Sequence, residues 1–262
     1  MEVIENKKVK EKLYMEKLEN GLTVMIIPRK NVRKKYIIFG TNFGSIDNTF
    51  VLPNETEAKK VPDGVAHFLE HKMFEQKSGI NSLDTLTALG VNANAYTTND
   101  HTAYLYEATD NFYEALDEFM DYVQNPYYTD ENVEKEKGII AQEINMYEDY
   151  PEWQVYLNAV KCMYKDFPVR IDIAGSVKSI GDITKETLYL CYDNFYTLSN
   201  MAIVICGDFE PEEILEEVKK RIIKNEKKEL PKRIYPQEQE EINEKEKIVD
   251  MKLSNPMFVV RI

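Results

Sequence analysis

The chain has little of what organises many small or secreted proteins. Its 262 residues include only three cysteines, Cys162, Cys191 and Cys206. These form no close pair and no Cys-x-x-Cys, so neither a disulfide framework nor a thiolate metal site is indicated, and they read as small buried hydrophobes. Positive charge is in deficit: 33 Lys and Arg stand against 46 Asp and Glu, giving a net charge of −13. Such a surface repels phosphate backbones and anionic lipid, so no nucleic-acid or membrane partner is expected, while basic peptides are weakly favoured. Met1 to Lys12 alternates Glu, Lys and Val without an apolar run, which reads as neither a secretory signal nor a span, and a cytoplasmic location is expected. A hydrophobic fraction of 43% is ample for a core, so the expectation is a globular fold.

Histidine is scarce as well, with three in the chain, and two of them stand in one stretch, Asp63 to Gln76. His67 and His71 are four apart, so on a helix they lie on one face, and Glu70 projects beside them. Two imidazoles at that spacing can hold Zn²⁺ at about 2.0–2.1 Å each, with room for a third ligand and a water whose pKa the metal lowers to about 7. A carboxylate beside that water can take its proton. Two surface histidines could share this spacing, but shuffling this composition yields His-x-x-Glu-His with a chance of roughly a few in a thousand. The order is the inverse of the His-Glu-x-x-His zinc-peptidase motif.

Along the chain, Leu13 to Leu18 and Leu22 to Ile27 flank Glu19-Asn20-Gly21, a hairpin signal. A third strand is expected over Lys35 to Asn42, then a polar loop from Ser45 to Pro62. Pro62 and Asp63 open the helix of the histidines, which should run to about Phe74. A helix from Leu83 to Leu89, capped by Asn81 or Ser82 and ended by Gly90, precedes a second hairpin over Val91 to Ala108 that turns at Asn99-Asp100. Its first strand carries Asn94, Ala95 and Tyr96; the small residues suit close approach of an added peptide strand, although an internal hairpin fits equally. Helices follow from Asp110 or Asn111 to Gln124, from Thr129 or Asp130 to Tyr147, and from Glu152 to Met163. Lys165 to Ser179 reads as a loop with a strand-like piece, Arg170 to Ile173. A helix from Thr184 to Phe195, a buried strand over Met201 to Cys206 and a helix from Pro211 to about Asn225 complete the expected fold. Lys224 to Lys247 is charge-dense and reads as a solvated linker, and Ile248 to Ile262 begins what look like new strands.

Within the long helix, Glu136 and Glu143 lie seven apart and share a face with Ile140. Acids on a stripe that also carries isoleucine call for a metal or a partner. With the histidine pair in the same chain, Glu143 is the candidate third ligand, and Glu136 is a carboxylate that orients a ligand or tunes the metal.

Together, His67-Phe-Leu-Glu70-His71, the Glu136 and Glu143 pair, Asn94-Ala95-Tyr96 through Thr102-Ala-Tyr, and Val204 to Gly207 with Asp208 resemble the pitrilysin or insulinase-type zinc peptidases. That group includes the mitochondrial processing peptidases and bacterial relatives described as processing-protease-like. The likeness runs from Leu18 to about Lys224, with a His71 to Glu143 interval slightly shorter than usual. It implies an α+β fold, an antiparallel-rich sheet with helices on one face, present as two similar halves that close around a peptide. By carry-over, His67, His71 and Glu143 bind Zn²⁺, Glu70 activates water, Glu136 supports the site, and the strand of Asn94, Ala95 and Tyr96 pairs with substrate. The domain organisation expected is a metal-bearing peptidase domain over 1–224, a charged linker over 225–247 and the start of a second half over 248–262. The Arg and Tyr that such a second half supplies are absent here. The expectation is therefore an N-terminal half that acts on unstructured peptides and needs a homologous half or partner subunit, as a homodimer or heterodimer, being weak or inactive alone. A non-catalytic assembly subunit of the same fold is the alternative. An S-ribosylhomocysteine lyase, which shares the helix motif, is disfavoured because no Cys lies near it.

Overall fold

The computed structural model describes residues 1–223 and 226–260. Ten strands and eight α-helices occur among them. In chain order these are β1 (Glu2–Asn6), β2 (Glu11–Lys17), β3 (Thr23–Pro28), β4 (Lys35–Thr41), β5 (Thr49–Val51), β6 (Ala58–Lys60), α1 (Val65–Lys72), α2 (Ser82–Ala88), β7 (Asn92–Thr97) and β8 (Thr102–Ala108). There follow α3 (Phe112–Gln124), α4 (Asp130–Glu148), α5 (Pro151–Met163), α6 (Val177–Gly181), α7 (Lys185–Phe195), β9 (Met201–Gly207), α8 (Pro211–Lys220) and β10 (Lys232–Arg233).

The fold is α+β. A seven-stranded sheet in the order β1-β2-β3-β9-β4-β8-β7 is antiparallel throughout except for the parallel pair β3 and β9. Alternation along the strands sets its faces. Val24, Ile26, Ile37, Phe39, Tyr104, Tyr106, Ile203 and Ile205 are fully buried, while the intervening Met25, Ile38, Leu105 and Val204 are only half-buried. The buried face receives the helices, whose core residues include Phe68, Leu69, Leu116, Phe119, Leu188 and Phe195. Each such side chain removed from water contributes about 1.5–3 kcal/mol, enough to fix which face of α1 turns inward.

Several local expectations need correction. β1 adds a charged edge strand where Met1 to Lys12 gives no strand signal, because its pairing to β2 is main-chain and its side chains stay exposed. The Ser45 to Pro62 stretch is not all loop: β5 and β6 pair in a three-stranded sheet with β10. That pairing also holds part of the charge-dense stretch against the domain, with Tyr235 donating its hydroxyl to Asp47 at 2.5 Å. Arg170 to Ile173 is no strand; Pro168–Arg170 forms a 3-10 turn instead. Asn111 occupies the α3 cap position in a left-handed conformation, and its side chain donates to the Leu89 carbonyl rather than capping. Residues 248–260 form no strand among the described residues. α8 ends at Lys220, short of the expected end near Asn225, because Arg221 leaves helical geometry; the expected domain boundary at Lys224 and Asn225 lies outside the described residues, as do Arg261 and Ile262.

Candidate metal centre

The helix of the histidines is set at its start by backbone geometry that its sequence allows. Gly64 precedes α1 with φ of 92°, a left-handed conformation that glycine adopts freely, and a Cβ there would stand 2.4 Å from the Ala174 carbonyl oxygen. Val65, Ala66, Phe68 and Leu69 face the core. That leaves His67 and His71 on the side toward α4 and Glu70 toward the end of β7. The long helix α4 is registered by a capping box, in which Thr129 accepts from the Asn132 amide and Asn132 accepts from the Thr129 amide. Glu136, Ile140 and Ile144 are buried along its inner face, so Glu143, one turn from Ile140 on that stripe, is presented to α1.

The two imidazoles converge on one oxygen. Glu143 Oε2 stands 3.8 Å from His67 Nε2 and 3.4 Å from His71 Nε2. Donors bound at zinc distances of about 2.0–2.2 Å in a tetrahedron stand about 3.3–3.6 Å apart, whereas a hydrogen bond is shorter. The His71–Glu143 distance falls in that range, the His67–Glu143 distance lies just beyond it, and both are longer than a hydrogen bond, so the three groups are spaced to share an ion with small adjustment. His67 is half-buried, with its Nε2 toward Glu143 and its Nδ1, out of solvent, without a hydrogen-bond partner. Burial and the neighbouring His71 push the His67 pKa down to about 3, so the ring is neutral and able to ligate.

His71 is held differently. Its Nδ1 donates to Glu136 Oε1 at 3.0 Å, which turns Nε2 toward Glu143. Burial disfavours its charge, but the hydrogen bond and charge of Glu136, with Glu70 and Glu143, outweigh that and raise its pKa. Glu136 moves the opposite way: burial raises it, and the His71 hydrogen bond with the Lys72 charge brings the net value below the carboxylate norm. Glu70 is nearly buried and accepts from Thr97 Oγ1 at 2.7 Å through Oε2, leaving Oε1 free. Burial, opposed by that hydrogen bond and reinforced by Glu143, lifts its pKa above the usual carboxylate range. A carboxylate of that kind suits proton transfer near neutral pH.

All five residues expected from the sequence, His67, Glu70, His71, Glu136 and Glu143, are thus brought together. Two more were not anticipated. Thr97 lies one residue past Tyr96 and shares the face of Ala93 and Ala95, a position that alternation alone could have flagged. Lys72 is fully buried, its Nζ 2.7 Å from Glu75 and 3.4 Å from Glu136. A lysine on an amphipathic helix reads as solvated, and only packing reveals otherwise.

β7 is an edge of the sheet and packs beside α1. The hairpin bond from Thr98 N to His101 O makes that pair hydrogen-bonded, so by alternation Tyr96 and Asn94 pair with Ala103 and Leu105. The main-chain groups of Ala93, Ala95 and Thr97 then face the open edge, and the Ala95 amide indeed donates to the Asn94 side chain at 2.9 Å. Of Asn94, Ala95 and Tyr96, only Ala95 directs its main-chain groups at the open edge; the other two present exposed side chains.

The family description "Insulinase (Peptidase family M16)" matches residues 55–176, which hold every residue of the site, and "Peptidase M16 inactive domain" matches 182–260. The uncharacterized zinc protease YmfH of Bacillus subtilis is 46% identical over 259 residues, covering 98% of this chain and 60% of that protein. An uncharacterized zinc protease of Rickettsia felis is 29% identical over 211 residues, 79% of this chain and 49% of that protein. Among solved structures, an M16-like peptidase from Alicyclobacillus acidocaldarius superposes with a TM-score of 0.82 at 43% identity, over 90% of this chain and 55% of that one. A Helicobacter pylori protease shares the fold at 21% identity, with a TM-score of 0.74 over 86% of this chain and 55% of that one. The chain spans about half to three-fifths of the length of these relatives.

Proposed function

Since this chain belongs to the insulinase family, peptidase family M16, we propose that it is the metal-bearing half of a zinc-dependent endopeptidase that cleaves extended peptides. The observation that carries the reading is the convergence of His67 Nε2 and His71 Nε2 on one Glu143 oxygen, with a buried carboxylate, Glu70, alongside. His67, His71 and Glu143 would hold Zn²⁺, and the bound ion would supply Lewis acidity and a water of lowered pKa.

The chain's own residues do the rest. Glu70 accepts a proton at Oε1 while Thr97 fixes Oε2, then returns it to the leaving amine. Glu136 holds the His71 ring by Nδ1, so that Nε2 stays aimed inward. The open edge of β7 takes an extended peptide as an added strand, through the main chain of Ala93, Ala95 and Thr97, which reads backbone more than side chains. Folded substrates lack such a free strand and are excluded. A second homologous half, covalent or as a partner subunit, closes over the peptide; the partial coverage of the relatives supports this part of the proposal.

A second reading is a non-catalytic subunit of the same fold, favoured by the match of 182–260 to a domain described as inactive. The intact set of His67, Glu70, His71 and Glu143 favours catalysis instead. Substituting Glu70→Gln and assaying zinc content with a quenched-peptide substrate, alone and with a homologous second half, separates the two. Retained zinc with lost cleavage supports the peptidase; no cleavage by the unsubstituted protein in any combination supports the subunit.

A further inference from the structure

Lys72 closes α1 with its side chain wholly out of solvent. An ammonium in that position is costly unless charged partners surround it. Both partners found are carboxylates: Glu75 Oε2 at 2.7 Å and Glu136 Oε2 at 3.4 Å. Packing alone would be served by methionine, which fills the same stem volume without a buried charge. The second contact is the informative one. Glu136 uses Oε2 toward Lys72 and Oε1 toward His71 Nδ1, at 3.0 Å, so a single carboxylate links the buried cation to the ring. His67, across the site, has no such chain behind it, and its Nδ1 is unpaired.

We propose that Lys72 is a positioning residue: by fixing Glu136 Oε2 it presents Oε1 to His71, which sets the imidazole as the Nδ1–H tautomer and leaves the Nε2 lone pair directed at Glu143. The inference rests on the metal-site reading for its consequence, but its mechanism acts in the metal-free protein. Without Lys72, the Glu136 carboxylate loses one of its two anchors and can rotate, so the ring is free to exchange tautomers. Zinc would then bind a ring that must first be reoriented, and outer supports of this kind are worth about 10–100-fold in metal affinity.

The test is ¹⁵N NMR of the His71 ring in the metal-free chain at about pH 9, above the imidazole range, with zinc affinity from chelator competition beside it. The unsubstituted chain should show one tautomer, protonated at Nδ1; the Nε2–H form there overturns the proposal without any variant. Lys72→Met should retain the fold, show mixed tautomers and weaken zinc by about 10–100-fold. Combining it with Glu136→Gln should weaken zinc no further than the worse single change, since both act through one link. Glu75→Gln, which removes only the other partner, should leave tautomer and affinity unchanged. A Lys72→Met chain that is less stable yet keeps the single tautomer and unaltered zinc affinity makes Lys72 a purely structural ion pair. Should Lys72→Met not fold, Lys72→Gln, which also removes the ammonium, is read in the same way: mixed tautomers and weakened zinc are expected, and a single tautomer with unaltered affinity refutes the link. If the unsubstituted chain binds no zinc, the metal reading fails, while the tautomer result still decides the positioning role.

Discussion

Proline substitution along β7 gives a sharp test of how a peptide would meet this chain. By the alternation set at Thr98 and His101, the Ala95 amide faces the open edge, whereas the Tyr96 amide faces β8. In Ala95→Pro the ladder is intact, and the only hydrogen bond removed is the local one to Asn94 Oδ1. The cost should be about 0.5–1.5 kcal/mol, since edge strands tolerate proline where the amide points away from the sheet. In Tyr96→Pro the ring intrudes between β7 and β8 and leaves the Ala103 carbonyl without its donor. That loss, with the steric disruption of the pair, should cost about 3 kcal/mol or more. Urea unfolding monitored by circular dichroism measures both. The functional effect should run the other way: Ala95→Pro removes a donor to an added strand and should lower kcat/KM for a quenched peptide about tenfold, the equivalent of one hydrogen bond. Equal destabilisation by the two prolines would refute the assigned parity. Full cleavage by Ala95→Pro would refute strand addition at this edge.

Other outcomes follow from the same geometry. Glu70→Gln should stabilise the metal-free fold by about 1 kcal/mol, because it removes a buried charge while keeping an acceptor for Thr97; differential scanning calorimetry checks it, and a lower Tm contradicts it. Zinc binding should weaken as pH falls below the raised His71 pKa, with release of about one proton per ion there and none well above it, read by calorimetry in two buffers; affinity flat from about pH 6 to 9 would contradict the His71 assignment. In the metal-free chain the two rings act oppositely on stability. His71 contributes below about 6.5 and loses that contribution as pH rises through its raised value, while the unfolded chain binds more protons at His67 between about 3 and 6.5, so that term stabilises as pH rises across the window. Unfolding free energies of His67→Phe and His71→Phe across that range should diverge accordingly. Gly64→Ala forces a Cβ to within 2.4 Å of the Ala174 carbonyl oxygen at a left-handed φ, so it should cost about 1–3 kcal/mol and weaken zinc by displacing α1; an unchanged Tm counts against that role.

The legible parts of this sequence are those where chemistry and periodicity coincide. His67 and His71 at helical spacing, Glu136 and Glu143 on one stripe with Ile140, and the Asn99-Asp100 turn are local patterns, and the structure brings the four site residues together as that spacing implies. β1, β5, β6 and β10 escaped because they are short or charged and are specified by backbone pairing rather than by alternating hydrophobicity. The helical cap expected of Asn111 failed because its backbone is left-handed there, away from the extended conformation a cap needs, and its side-chain amide donates instead to the Leu89 carbonyl, a partner that no local rule sees. Lys72 became a functional candidate only once α1 and α4 were packed, since a lysine does not signal its partner, whereas alternation along β7 puts Thr97 on the face of Ala93 and Ala95. Which backbone groups of β7 remain free could likewise not be read before the hairpin register was known.

The central claim is that His67, His71 and Glu143 share one ion. Zinc content by elemental analysis, on chain dialysed free of loose metal and beside Glu143→Gln, tests it most directly. About one zinc per chain, lost in the variant while the fold is kept, is the predicted result. No zinc in the unsubstituted, folded chain, or full retention in the variant, would contradict the assignment.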